Sequence, residues 1–306
     1  MKWLKRGLVW GPDQTKPWAL SHAMCPTPIQ IDDNIIRVYV STLDAEGRGH
    51  ATFVEVDAND PTIVRHAPDT LSLGPGESGA FDDNGVVALG VIKTGDRHLM
   101  YYAGFELCTQ IRYRIFTGLA ISDDGGRSFN RHSKVPVLDR SDKEMLFRCG
   151  PFPMIDKDEI RLWYVGGDRW TDIDGKSMPV YDLRHVRSQN GISWPQFGDV
   201  VMSISGDDEH GFGRPWVVKQ GEGSYQLFYS IRRRSLKAYR LGYAESSDGL
   251  NWIRKDEKMG LDVTPGGFDS DAIMYSAVIT VADKTYCFYN GNDFGKEGFA
   301  LAELVE

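Results

Sequence analysis

The sequence predicts an all-β fold, a single five-bladed β-propeller of four-stranded blades spanning residues 1–306, with its ring closed by the N-terminal strand. Three observations carry this reading. Apolar runs ending in tyrosine recur five times, at Ile36-Arg37-Val38-Tyr39, Leu99-Met100-Tyr101-Tyr102, Leu162-Trp163-Tyr164, Leu227-Phe228-Tyr229 and Cys287-Phe288-Tyr289. Their aligned tyrosines stand 63, 62, 65 and 60 residues apart. Each run follows a polar turn that follows another apolar strand, so the repeating unit is a hairpin.

About 60 residues suffice for a four-stranded blade with its loops, and radial repetition leaves only short, protected edges. The polar turns are Asp32-Asp33-Asn34, Lys93-Thr94-Gly95-Asp96, Asp156-Lys157-Asp158 and Gln220-Gly221-Glu222-Gly223-Ser224. A third strand follows the hairpin, as in Gly118-Leu119-Ala120-Ile121-Ser122, Leu241-Gly242-Tyr243-Ala244-Glu245 and Phe299-Ala300-Leu301-Ala302-Glu303. Three repeats then carry a turn: the Asp-box match Ser122 to Phe129, and shorter relatives at Ser188 to Trp194 and Ser246 to Trp252. These are structural devices, in which Asp or Asn bonds the turn backbone, Gly takes positive φ and the aromatic packs between blades. The last repeat stops after its third strand, so residues Trp3 to Val9 are expected to supply its outer strand. No long helix is expected, since no 12-residue segment sustains helical apolar spacing without Gly or Pro.

Net charge is −8 and the pI about 5.4, a balance unsuited to general nucleic-acid or anionic-membrane binding. The basic start Met1 to Gly7 leads into no apolar stretch of signal-peptide length, and no 18-residue apolar run occurs, so a cytoplasmic protein is expected. Cys25, Cys108, Cys149 and Cys287 contain no Cys-x-x-Cys and read as buried free thiols, and no metal or nucleotide motif is present. No cofactor is expected; no spacing rule calls for a calcium ion on the axis.

In a propeller, the start of each first strand and the end of each second strand converge at one mouth. That rule selects His22 and Asp44 in the first blade, and Phe81, Asp82 and Asp83 with Phe105 and Glu106 in the second. It selects Arg148 with Asp168, Arg169 and Trp170 in the third, and Glu209, His210 and Arg214 with Arg232, Arg233 and Arg234 in the fourth. The fifth offers Asp269, Asp271 and Tyr275 with Asn290, Asn292 and Asp293. Carboxylates and arginines crowded at one mouth either pair with one another in an interblade network or meet a polar ligand. The near-coincident registers of Arg148 and Arg214 suggest an anionic ligand, which a guanidinium fork suits. Trp170 could stack on a sugar face.

Gly79-Ala80-Phe81-Asp82 with Gly85-Val86, Tyr101-Tyr102-Ala103-Gly104, Gly118 to Phe129, Gly213-Arg214-Pro215, Tyr239 to Trp252, Gly267-Phe268-Asp269-Ser270 and Tyr289-Asn290-Gly291-Asn292 carry a resemblance. The sequence resembles the five-bladed propeller glycosidases and their relatives: the arabinanase and xylosidase, invertase and levansucrase, and β-mannoside phosphorylase families. Most closely it resembles an uncharacterised glycosidase-like propeller group. The resemblance implies a central acidic pocket holding a sugar, with an acid and a base from different blades. On that footing Asp82 is the expected base or nucleophile, Glu209 the general acid, and Asp269 a holder of sugar hydroxyls or tuner of a neighbour. His22, Asp83, Arg148, Trp170, Arg214, Asp271, Tyr275 and Asn290 are the expected substrate contacts. These families commonly place a catalytic aspartate on the first blade, where Ser21-His22-Ala23-Met24-Cys25-Pro26 offers no carboxylate. Three functions therefore stand side by side: a glycoside hydrolase or related glycosyl-transferring enzyme, a sugar-binding propeller without catalysis, and a protein-interaction scaffold.

Overall fold

Strands covered on both faces read as continuous apolar runs, and the tyrosine-bearing runs are of this kind; the five aligned tyrosines are buried. The computed structural model describes residues 1–306. After β1 (Trp3–Trp10), blade 1 comprises β2 (Ser21–Gln30), β3 (Ile35–Leu43), β4 (Gly49–Asp57) and β5 (Val64–His66). Blade 2 holds β6 (Val86–Thr94), β7 (Arg97–Leu107), β8 (Tyr113–Ser122) and β9 (Asn130–Arg131). Blade 3 is β10 (Phe147–Asp156), β11 (Glu159–Ile173), β12 (Lys176–Ser188) and β13 (Asp199–Met202). In blade 4 follow β14 (Glu209–Gly221), β15 (Ser224–Arg233), β16 (Ala238–Ser246) and β17 (Ile253–Arg254). Blade 5 has β18 (Met274–Val281), β19 (Lys284–Asn290) and β20 (Phe299–Leu304).

The outer strand of blade 5 is β1, which pairs antiparallel with β20 from Trp3↔Leu304 to Trp10↔Phe299. This is the closure the interrupted last repeat predicts. Trp3 adds a bond from its indole N–H to the Met259 carbonyl at 2.8 Å, tying β1 to the segment that leaves blade 4. Helix is confined to a 3₁₀ turn at Asp256–Lys258, the loop at Asn292–Gly295 being a single turn in which Asp293 and Phe294 have left-handed φ (49° and 61°), and no helix is long and apolar enough to cross a membrane.

Neighbouring blades touch where the first strand of one meets the third strand of the previous. There β8 and β10 pair in parallel through Ile115↔Phe147 and Phe116↔Arg148, and β12 and β14 through Tyr181↔Gly211. Further out, the turns join blades through the middle strands. Tyr39 donates its hydroxyl to the Gly126 carbonyl, Tyr101 to that of Gly191, and Trp163 its indole N–H to that of Gly249. Gly126 has φ 81° and lies so close to the Tyr39 hydroxyl that a Cβ would collide with it. Phe129 packs edge-on against Tyr39, and Trp194 against Tyr101, so the turn aromatics do fill the interblade seams.

Candidate functional site

A cavity of about 1250 Å³ lies where all five first strands converge. Its deep wall is formed by Met24 and Cys25, Val87 and Leu89, Cys149, Gly213 and Arg214, and Met274 and Tyr275. None of these is a carboxylate. Arg214, in the left-handed region at φ 33°, sends its guanidinium to the carbonyls of Pro26 (2.7 Å) and Tyr275 (3.1 Å) and to the Thr27 hydroxyl (2.7 Å). It therefore clamps blades 1, 4 and 5 together, and burial without a carboxylate partner brings its pKa down to about 10. Burial pushes the thiols of Cys25 and Cys149 up to about 12, so neither is a thiolate nucleophile at neutral pH.

Towards the mouth the wall becomes aromatic and basic. Tyr113, Tyr181 and Tyr239 come from third strands, and Phe105 and Phe294 from β7 and the loop after β19. Seven Arg and Lys residues line the cavity: Arg112, Lys176, Arg214, Arg232, Arg233, Lys237 and Lys296. They face three carboxylates, Asp271, Asp293 and Glu297, all from blade 5. In a protein of net charge −8, this is a locally positive pocket and not the acidic one that the resemblance implies.

Of the expected site residues, Arg214, Asp271 and Tyr275 stand on this wall. The three expected catalytic carboxylates do not. Asp82, with no exposed surface, accepts from the Tyr102 hydroxyl at 3.0 Å and from Arg131 Nε at 2.8 Å. Asp269, equally buried, meets Lys5 Nζ at 2.5 Å and the Tyr289 hydroxyl at 3.3 Å. Glu209 is held by Arg254 (2.6 and 2.9 Å) and the Ser205 amide (2.9 Å). Burial works to raise the Glu209 carboxyl, but Arg254 and the amide overcome it and hold it below the ordinary value. A general acid needs the opposite displacement. In each case the cation comes from the outer strand of the same blade, so the carboxylate locks the loop ahead of the first strand onto the blade edge.

The remaining expected contacts also have structural partners. Arg148 pairs with Glu144 at 3.2 Å and donates to the carbonyls of Asp139, Pro195 and Gln196. Trp170 is packed between Tyr113 and Phe147, off the cavity wall. Asp83 accepts from the Gly79 amide, closing a turn. Asn290 clamps blade 5 to blade 1, accepting from the Cys25 amide and donating to the Ala23 carbonyl. His22 bonds the Ser21 hydroxyl at 2.7 Å beside the cavity rim, and Asp44 is spent on Arg48 and His50. The arginine coincidence noted in the sequence is therefore one of structural clamps: Arg214 joins blades 1, 4 and 5, while Arg148 holds the loops around blade 3.

A test follows from this geometry. Asp82→Asn keeps the shape and removes the charge from a pair whose cation is a quarter exposed, so it should lower unfolding stability by about 1–3 kcal/mol. It should leave ligand affinity at the axis within about twofold, measured by calorimetry at a temperature where the variant is folded. A selective loss of affinity would place Asp82 in the ligand's path after all.

No family model matches the sequence. It is 32% identical over 304 residues to the uncharacterized protein Rv1502 of Mycobacterium tuberculosis, covering 99% of each protein. Among solved structures it is similar to a complex of BT0996 with RGII, with a TM-score of 0.76 and 20% identity over 99% of this protein and 91% of the other. It is also similar to the GH43_1 enzyme of Xanthomonas citri complexed with xylose, with a TM-score of 0.65 and 16% identity over 93% and 87% of the two. The fold is thus that of the five-bladed propeller glycoside hydrolases.

Proposed function

Since the protein belongs to the family of the Mycobacterium tuberculosis protein Rv1502, and carries its cavity on the axis of a glycoside hydrolase fold, we propose that it is a carbohydrate-binding propeller whose sugar enters this mouth. A protein of the same fold is complexed with xylose. The observation that carries the reading is the character of the wall. Aromatic faces at Phe105, Tyr275 and Phe294 suit the C–H faces of sugar rings, and 1250 Å³ exceeds the usual ligand cleft of about 300–1,000 Å³.

The same wall argues for recognition over two-carboxylate hydrolysis. That reaction sets its acid and its base or nucleophile about 5–9.5 Å apart on opposite sides of the scissile bond. Here the first strands contribute no carboxylate to the cavity, and the three that reach it share one side. Cleavage at this site would draw its acid from Asp271, Asp293 or Glu297.

The experiment is calorimetric binding of neutral and acidic mono- and oligosaccharides, with reducing-sugar release followed in parallel. Saturable binding without release is expected. Phe294, 40% exposed, can be truncated without opening the core, and Phe294→Ala should weaken affinity about three- to tenfold. Release abolished by Asp271→Asn, Asp293→Asn or Glu297→Gln would replace the binding reading with one-sided acid catalysis. Absence of binding to every sugar would end the carbohydrate reading.

A further inference from the structure

We infer that Arg232 anchors an anion subsite inside the axial cavity, one that takes the carboxylate or phosphate group of a charged sugar. This rests on the carbohydrate reading for the ligand as a whole, but its own grounds are separate.

Arg232 lies at the mouth end of β15, on the cavity wall. A guanidinium is charged at any physiological pH, yet Arg232 makes no ion pair, and its Nη1 is closed off from solvent with no hydrogen-bond partner. Its two neighbours in sequence are provided for: Arg233 meets Asp208 at 3.5 Å and Glu209 at 3.9 Å, and Arg234 reaches the Thr171 hydroxyl at 3.3 Å. Arg232 instead lies over aromatic faces, its Cζ 4.8 Å from the Tyr239 ring centre and 6.0 Å from that of Phe294.

The groups around it do not neutralise it. Tyr113, Tyr181, Tyr239 and Tyr275 surround the guanidinium, and burial raises all four phenols above their ordinary value, so they stay protonated. Cation–π contact offsets only part of the cost of closing the guanidinium Nη1 off from water without an ionic partner. A ligand anion removes that deficit, and a carboxylate or phosphate fits the guanidinium fork geometrically. Arg112 and Lys176, on the same wall, also lack ion pairs and add positive potential at the entrance.

The test is calorimetry of the full-length protein with glucose, glucuronate, glucose 6-phosphate and inorganic phosphate, on the parent, Arg232→Met and Arg232→Lys. An anionic sugar should bind at least tenfold more tightly than glucose, and whether glucuronate or glucose 6-phosphate is preferred identifies the group the subsite takes. Arg232→Met should bring the preference below threefold, with the larger loss falling on the anionic sugar. Arg232→Lys, which keeps the charge and loses the fork, should retain part of it, and it serves as the test if the methionine variant does not fold. Equal binding of neutral and anionic sugars by the parent would overturn the subsite and leave the carbohydrate reading standing. Phosphate binding lost in Arg232→Met, with no sugar bound, would support the subsite and remove the carbohydrate reading.

Discussion

Replacing Glu144 with alanine is expected to destabilise the ring by about 3–5 kcal/mol, the range for leaving a buried charge without its partner. Glu144 has no exposed surface and lies in the loop ahead of β10, among side chains of blade 3. It accepts from the Tyr164 hydroxyl at 2.5 Å and the Gly198 amide at 3.3 Å, with Arg148 Nε at 3.2 Å and Arg184 Nη1 at 3.5 Å. Both guanidiniums are almost wholly buried, so alanine strands two cations. Gly166 belongs to the same lock, because a Cβ there would stand 2.7 Å from Glu144 Oε1. Glu144→Gln keeps the shape and two hydrogen bonds, and should cost about half as much. Urea unfolding with a double-mutant cycle against Tyr164→Phe measures both, and non-additivity above about 0.5 kcal/mol is expected for groups in direct contact. A loss below about 1 kcal/mol for the alanine variant, less than the usual cost of one unsatisfied buried group, would mean that the arginines find other partners and that the lock is dispensable.

The lock recurs at a fixed offset that the sequence displays openly. Asp82, Glu144 and Asp269 each precede the tyrosine they bond by 20 residues, and Glu209 stands at the same offset before Tyr229. Spacing placed the strands, the blade boundaries and the closing strand, because those depend on period and apolar run length. The same spacing leaves open which way a side chain points. A carboxylate just ahead of a first strand can point across the axis or back to its own blade edge, and a partner such as Arg131, Arg254 or Lys5, on an outer strand far away in sequence, decides which.

The mouth rule did locate His210, Arg214, Arg232, Arg233, Asp271, Tyr275 and Asp293, all on the cavity wall. It missed Tyr113, Tyr181 and Tyr239, since it counted only first and second strands. Third strands also begin at the mouth: β8 starts at Tyr113 and β16 carries Tyr239 as its second residue, while Tyr181 is the sixth residue of the longer β12. The aromatic at the head of β8 and of β16 was the readable signal. The basic character of the wall had no such signal, because Arg112, Lys176, Lys237 and Lys296 occupy loops and hairpin ends whose direction only the assembled ring defines.

Acid should weaken the fold before its carboxylates titrate, and His185 is the chief reason. It is buried beside Trp163, with ring centres 5.0 Å apart, and its Nε2 accepts a hydrogen bond from Arg161 Nε at 3.2 Å. A nitrogen that accepts from a guanidinium carries no proton. Burial, with Arg161 and Arg187 nearby, lowers its pKa to about 3. The unfolded protein takes up this proton near 6.5, so between roughly pH 6.5 and 3 the unfolded state binds more protons and stability falls with pH. The contribution is complete above about 6.5 and declines by about 1.4 kcal/mol per unit below it, about 2–3 kcal/mol by pH 4.5. His22, His98 and His210 are displaced the same way by burial and steepen the decline. Below about pH 4 a second loss begins, as the turn carboxylates Asp124 and Asp248, held low by their hydrogen bonds, lose the advantage that those bonds give them over the unfolded state. His185→Gln supplies an oxygen to accept from Arg161 and removes the titration. Urea unfolding of parent and variant from about pH 7.5 to 4.5 should give curves that diverge by about 2 kcal/mol at the acid end, with the variant flatter. Parallel curves would mean that native His185 takes up its proton at the ordinary pH, which requires Arg161 to have left the imidazole.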